Sequence, residues 1–271
     1  MTKKELRILA FGAHPDDCDT KAGGIAAKYA ALGHRMRFVS VTNGDAGHHE
    51  IGGVELVRRR RAESAAAAAV VGIDYLLLDI HDGELEPSLE NRKKIIRQIR
   101  SYQPDLVLTH RPNDYHPDHR YTAILVQDAA YMVTVPNICT DVEALADNPV
   151  IAYLSDNFQK PQPFAPDVVV DIDDVIEQKL EMLHCHTSQM YEWLPFNGGV
   201  LDQVPQEDHE RRQWLRHRLG RYANTADRFR DLLVARYGLQ RGGQVKFAEA
   251  FEGCEHGGAL TPEKIADLFP F

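Results

Sequence analysis

The chain has 271 residues, with 31 Lys and Arg against 40 Asp and Glu, a formal net charge of −9. A length of this order fits one large domain, or a domain with an appendage, and can bury a substantial core. The acidic balance leaves no electrostatic footprint for nucleic acid, and no stretch approaches the ~20 apolar residues that span a membrane.

Met1 to Glu5 runs straight into an apolar stretch without the h-region of a signal peptide, so a cytoplasmic location is expected. Cysteines stand at 18, 139, 185 and 254, isolated from one another, and read as free thiols of a reducing compartment. Cys18 reads as a small buried residue rather than a thiolate ligand.

Leu6 to Phe11 reads as a buried strand that stops at Gly12 and Pro15, and the helical spacing of Ile25, Ala26, Tyr29, Ala30 and Leu32 follows. Strand, turn and helix form the first half of a βαβ unit, whose loop is where open α/β sheets hold ligands. Here that loop carries His14, Asp16 and Asp17. Helix capping explains one Asp or two. It does not explain His14 before a proline, or the Gly23-Gly24 pair. The loop suits a cation, with His14 and Asp17 as its hands.

A second strand, Met36 to Val41, ends at the polar turn Thr42 to Asp45, and His48 and His49 follow in a Gly-rich loop where a solvated histidine is the default. Val54 to Val71 reads as a helix closing at Gly72. Arg58 to Arg61 point in different directions around it, so most are solvated and one can reach the site. Tyr75 to Ile80 is a third strand, and Asp82 before Gly83 in its exit loop has the form of a turn residue. Leu89 to Tyr102 forms a helix with Ile95, Ile96 and Ile99 inward.

Pro104 to Thr109 is a fourth strand. It leads through His110, Asp114, Tyr115, His116, Pro117, Asp118 and His119 into an apolar helix ending near Tyr131, with Pro117 suited to a first helical position. His116 and His119, three apart, can face one site. Two strand ends thus deliver His14, Asp17 and one of these histidines to a single cation with positions left open, the pattern of catalytic zinc.

The alternation predicts an α/β fold with a Rossmann-like, mostly parallel sheet covered by helices on both faces across residues 1–135. A smaller C-terminal α+β portion, 136–271, is expected to complete the sheet and cover the substrate site within one continuous domain. No Gly-x-Gly-x-x-Gly follows the first strand, which disfavours dinucleotide binding. Beyond Val135, Pro136 to Asn148 reads as a connection, Val150 to Leu154 as a strand, Phe158 to Pro166 as a proline-rich linker or lid, and Asp167 to Ile172 as a strand. A helix capped by Asp173 or Asp174 runs through His186, whose histidines read as exposed or satisfied. Met190 to Val204 reads as a binding loop or oligomer contact, and Glu207 to Arg236 as a long charged helical stretch without an assigned role.

Ala13-His14-Pro15-Asp16-Asp17, Gly23-Gly24 and His116-Pro117-Asp118-His119 together resemble the PIG-L/LmbE-type metal-dependent N-acetylglucosaminyl deacetylase family. Further matches are Thr42 to Gly47, Arg60 with Glu63, Asp82-Gly83, Ser188-Gln189 and Ala248 to Phe251. The resemblance implies a divalent metal, zinc or an alternative such as Fe2+, on His14, Asp17 and His119. It is this resemblance, not spacing, that selects His119 over His116. Asp16, adjacent to a ligand and bound to nothing, is then placed as general base. A protonated His116 would stabilise the oxyanion and protonate the leaving amine, with Asp118 orienting it. Arg60 and Asp82 are implied as substrate-binding. The reaction implied is hydrolysis of an N-acetyl group from a small-molecule amino sugar or glycoside; a homo-oligomer is expected as well. Glycosyl-inositols, glycosyl-malates, chitooligosaccharides and other N-acyl amines are the substrates the family suggests. Two alternatives remain: a ferrous oxygenase using a 2-His-1-carboxylate triad, and a non-catalytic metal-binding protein on the same frame.

Overall fold

Every side chain from Ile8 to Phe11 is buried, and alternation sends Ile8 and Ala10 to one face of a sheet and Leu9 and Phe11 to the other. In the computed structural model, which describes residues 5–222 and 225–271, they belong to the central strand β1 (Arg7–Gly12). The other strands are β2 (Arg35–Ser40), β3 (Asp74–Leu77), β4 (Leu106–Thr109), β5 (Val150–Leu154), β6 (Val168–Asp171) and β7 (Ala248–Gly253). They form one seven-stranded sheet in the order β3-β2-β1-β4-β5-β7-β6. The pairs from β3 through β5 are parallel, and β7 runs antiparallel to both β5 and β6.

α1 (Asp17–Ala31) and α5 (Ile176–Cys185) pack together over the Ile8 face, and α5 also packs on α2 (Gly53–Val71). α3 (Leu89–Tyr102) and α4 (Pro117–Met132) cover the Leu9 face through Ile95, Ile96, Ile99, Leu125 and Val126. The expected layered α/β architecture is therefore present. Three boundaries differ. β3 stops at Leu77 rather than Ile80, as an edge strand; beyond it Leu78 N–H donates to the Ser40 carbonyl and the Ile80 carbonyl accepts the Asn43 N–H. The helix expected through His186 ends at Cys185 and passes into a π-helical turn, Ser188–Trp193, followed by α6 (Leu194–Asn197). The long charged stretch resolves into α7 (Asp208–Tyr222), α8 (Thr225–Arg228) and α9 (Arg230–Gly242), before α10 (Pro262–Leu268). Ala248 to Gly253 carries no strand expectation, yet as β7 it joins β5 to β6.

The chain leaves β1 toward β2 on one side, and β4 toward β5 on the other. The exit loops of β1 and β4 thus open side by side at the reversal of strand order, where such sheets form a crevice. Gly12 makes the close approach possible, because a Cβ there would stand 2.7 Å from the Asp17 Cβ. Gly44 has φ +72°, and a Cβ would stand 2.6 Å from Arg60 Nη1. The C-terminal strand also grips α1: Glu249 accepts the Gly24 and Ile25 N–H groups, each at 2.8 Å. Lys179 donates to Glu249 at 2.6 Å and to the Thr20 carbonyl at 2.8 Å. Both faces of this buried pair are thereby satisfied, and the helix that begins at Asp17 is fixed along its length. No helix among the described residues is long and apolar enough to cross a membrane.

Candidate metal centre

The turn after β1 folds back on itself. His14 N–H donates to Asp17 Oδ2 at 2.8 Å, which draws that carboxylate over the end of the strand. From the exit of β4, Pro117 opens α4 and sets His119 on its first turn. Three atoms then meet: His14 Nδ1, Asp17 Oδ2 and His119 Nε2. Their separations are 3.2 Å between the two histidines, 3.5 Å from His14 to Asp17 and 3.4 Å from His119 to Asp17. Donors held about 2.1 Å from a tetrahedral ion stand about 3.4 Å apart, so the triangle has the size of one face of a zinc site.

The outer contacts decide which atoms are free. His14 Nε2 faces Asp82 Oδ1 at 3.1 Å and Asp118 Oδ2 at 3.3 Å, so its proton belongs there and Nδ1 keeps a lone pair. His119 Nδ1 lies 3.1 Å from Asp114 Oδ1, at an angle short of a full hydrogen bond, which turns Nε2 inward. Carboxylates behind histidines in this way fix the ring and its tautomer at metal sites. Three lone pairs converging on one point repel unless a cation lies between them. Burial opposes a charged His14, yet Asp118, Asp17 and Asp82 outweigh it and hold its pKa well above the ordinary value. Asp17 is moved the other way: burial works against its charge, but His119 and His110 keep it well below the usual carboxylate range. The three side chains are 10–13% exposed, so the cluster has an opening.

The donor atoms of His14, His116 and His119 also lie within 4.8 Å of one another, as do those of Asp17, His110 and His119. His110 is spent, since its Nε2 accepts the Ala13 N–H at 3.1 Å, and its ring stacks on His119 with centroids 4.1 Å apart. Sequence reading assigns it no part, although it directly follows β4. His116 caps α4: its Nδ1 accepts the Asp118 N–H at 3.2 Å. A nitrogen that accepts cannot carry the proton, so neutral His116 bears it on Nε2. Burial and the neighbouring His14 and His119 depress its pKa. Both observations favour a neutral His116 donating from Nε2 over the protonated His116 expected from sequence. The expected orientation of His116 by the Asp118 side chain is corrected too: that carboxylate faces His14 and accepts the Gly83 N–H at 2.7 Å, and only the Asp118 backbone reaches His116.

Asp16 sits at φ 132°, a region that residues with a Cβ avoid. Tyr75 Oη accepts its N–H at 3.1 Å, and Gln189 Nε2 donates to its Oδ1 at 3.1 Å. Asp16 is therefore not bound to nothing, as its sequence position suggests. Burial, then the Asp17 charge, push its pKa up to about 6 against His186, Gln189 and Arg60.

Arg60 is 1% exposed. Its Nη2 donates to the Gly47 carbonyl at 2.6 Å and to Gln189 Oε1, and Nη1 stands 3.9 Å from Asp82. Asp82 in turn accepts the Gly47 N–H at 3.0 Å while facing His14. Both residues expected to bind substrate thus form the wall behind the donors. Glu63, beside Arg60 on α2, accepts Ser188 N–H at 2.9 Å, Ser188 Oγ at 2.6 Å and Thr187 Oγ1 at 2.7 Å. Tyr115, 74% exposed, stands edge-on to His116 and His119 at the rim.

The model of the PIG-L family, described as GlcNAc-PI de-N-acetylase, matches residues 9–130. The diacetylchitobiose deacetylase of Thermococcus kodakarensis is 32% identical over 202 residues, which cover 70% of this chain and 74% of that one. The chain belongs to the PIG-L family. The 4-oxalmesaconate hydratase of Pseudomonas putida is 26% identical over 205 residues, covering 71% of this chain and 78% of that one. Among solved structures, the N,N'-diacetylchitobiose deacetylase from Pyrococcus horikoshii superposes with a TM-score of 0.69 at 26% identity, covering 96% of this chain and 88% of that one. The segment matched to PIG-L contains Asp16 and every donor of the cluster, whereas Gln189 lies beyond it.

Proposed function

We propose that this PIG-L chain is a zinc-dependent deacetylase that hydrolyses the N-acetyl group of an amino sugar or its glycoside. The observation that carries the reading is the convergence of His14 Nδ1, Asp17 Oδ2 and His119 Nε2 within 3.2–3.5 Å of one another, with Asp16 next to Asp17 on the turn that opens α1. An ion held there supplies the Lewis acidity that makes water a nucleophile near neutral pH and polarises an acyl carbonyl. Asp16 takes the proton of the attacking water and returns it to the departing amine, which balances the reaction to acetate and free amine. His116 Nε2–H donates to the oxygen on which negative charge develops. Asp82 and Asp118 hold the Nε2 proton of His14, and Asp114 turns His119.

Two imidazoles and a carboxylate also describe the triad of ferrous oxygenases. A carboxylate adjacent to Asp17, together with a histidine N–H donor whose ring lies 4.5 Å from that of His14, supports proton transfer and hydrolysis instead. The relatives named as deacetylases support an N-acetylated sugar as substrate. A cytoplasmic location belongs to the same reading, supported by free cysteines at 18, 139, 185 and 254. So does a homo-oligomer, supported by exposed Leu194 and Phe196.

The test is acetate release from N-acetylglucosamine, diacetylchitobiose and N-acetylglucosaminyl glycosides, with metal analysis of the purified chain. About one zinc per chain and release from at least one sugar are expected. His119→Ala should strip the ion; metal lost in His116→Ala and kept in His119→Ala reverses the ligand assignment. No acetate from any N-acetyl compound, together with hydration of 4-oxalmesaconate, would move the chain to the chemistry named for its Pseudomonas relative.

A further inference from the structure

The turn from His186 to Gln189 lies 173 residues along the chain from Asp16, yet touches the site at successive residues. His186 faces Asp19 at 3.2 Å, both fully buried. Thr187 and Ser188 donate to Glu63. Gln189 then bridges two charged groups: its Nε2 donates to Asp16 Oδ1 at 3.1 Å, and its Oε1 accepts from Arg60 Nη2. The amide therefore cannot flip. Arg60 has only donors, so it requires the amide oxygen, which leaves the NH2 for the carboxylate. The backbone at this point is a π-helical turn, Ser188–Trp193, a local widening common where a helix must re-aim a side chain.

From this geometry we infer that Gln189 is a positioning residue for the deacetylation reaction: it clamps Asp16 through Oδ1, leaving Oδ2 as the proton-accepting oxygen, and Arg60 acts through Gln189. The inference rests on Asp16 being the base. The strained φ of 132° at Asp16 gives the clamp a purpose. A carboxylate on such a backbone has torsional freedom about its side chain, and a misplaced base loses rate even when the ion and the substrate are both bound. The same chain of contacts accounts for a fully buried arginine one residue after Arg59, which is half-buried and pairs with Glu63 and Glu192 at the surface of the turn.

The test compares kcat and KM of wild type, Gln189→Ala and Gln189→Glu, alone and combined with Asp16→Asn, with bound metal and urea stability measured on each. Gln189→Glu keeps the shape and the acceptor for Arg60 but sets a carboxylate against Asp16 in place of the amide donor, so it disturbs the clamp with the packing kept, whereas Gln189→Ala removes both. Both single variants should keep metal and KM and lose kcat by ~10–100-fold, the usual scale for groups that orient a reacting one. In the Asp16→Asn background the same substitutions should change kcat by less than about threefold, because residues acting through one group are not additive. Raised KM with kcat intact would make Gln189 a substrate contact and overturn the inference. So would an undiminished kcat loss in the Asp16→Asn background. If Asp16→Asn alone turns over like wild type, it is the base assignment that fails; if Asp16→Asn is slow and Gln189→Ala and Gln189→Glu are both normal, only the clamp fails.

Discussion

Two imidazole–carboxylate contacts begin on the same short stretch of chain, His14 with Asp17 and His186 with Asp19, and they end in opposite conditions. The first pair is 3.5 Å apart with side chains 11% and 13% exposed; the second is 3.2 Å apart and 0% exposed on both sides. Around the first, His119 brings another free nitrogen, and Asp82, Asp118 and Asp114 stand behind the rings. Around the second, His186 Nε2 and Asp19 Oδ2 face each other at an angle short of a full hydrogen bond, and neither the ring nor the carboxylate has another hydrogen-bond partner. Residue type is thus a poor guide to role in this protein. A third donor and an opening make one pair a candidate ion site. Closure on all sides makes the other a strut that holds the turn carrying Gln189 against α1.

The largest effects expected lie on the open side. Asp16→Asn keeps size and hydrogen bonding but cannot accept a proton, so it should retain the ion and lose on the order of 10²–10⁴ in kcat. Asp17→Asn replaces an anionic ligand by a neutral one, and should lose metal and regain part of its activity in excess zinc. Assays of both variants for bound metal and turnover, with and without added zinc, check this. Loss of metal in Asp16→Asn would place that carboxylate among the ligands and remove the base.

On the closed side, His186→Phe leaves Asp19 buried without a partner. Loss of one member of a buried pair costs about 3–5 kcal/mol, read as a lower urea midpoint, while the folded variant should bind its ion as wild type does. A variant of normal stability that had lost its metal would erase the distinction between the two pairs.

Much of the open side is legible in sequence because it is local. His14, Asp16 and Asp17 share one turn, Pro117 and His119 share another, and the strands before them are continuous apolar runs. The closed side is built from contacts that periodicity does not carry. Gln189 reaches Asp16 across 173 positions and Ser188 reaches Glu63 across 125. Nothing in Arg58 to Arg61 marks Arg60 as the arginine that ends up buried; the loop around Gly44 and Gly47 folding over it decides that. β7 escapes notice for a similar reason. Its Glu249 breaks the apolar pattern, and that residue is buried only because Lys179 and the backbone of α1 satisfy it.

Asp82 tests the wall between the two regions. It is implied by resemblance as a substrate contact, but its oxygens face His14 and Gly47. Asp82→Asn should therefore weaken metal affinity by ~10–100-fold, the effect of losing a carboxylate behind a ligand, with little change in KM once zinc is saturating. Competition with a chelator measures the first and steady-state kinetics the second. A raised KM at full metal occupancy would return Asp82 to the substrate.

The smallest effect belongs to the outer end of the same turn. Glu192 lies 2.7 Å from His48 Nε2 and pairs with Arg59, which also bonds Glu63 at 3.0 Å. Burial works against its charge, but Arg59 and His48 outweigh it and hold its pKa below the ordinary 4.5. A carboxylate whose folded pKa is below its unfolded one stabilises the fold above the unfolded value, and that contribution disappears as pH falls through the folded value. Its side chain is 32% exposed, so solvent screens the pair, and the contribution should stay under about 1 kcal/mol. Glu192→Gln should then have a slightly lower urea midpoint than wild type at pH 7, and the gap should close as the pH is taken well below 4.5, where both proteins carry a neutral group. If the gap persists unchanged at low pH, the side chain acts by packing and the charge is irrelevant. If the loss at pH 7 rivals that of His186→Phe, the outer end of the turn bears as much of the fold as the sealed pair, and the contrast between exposed and buried contacts drawn for the two histidine pairs does not extend along this turn.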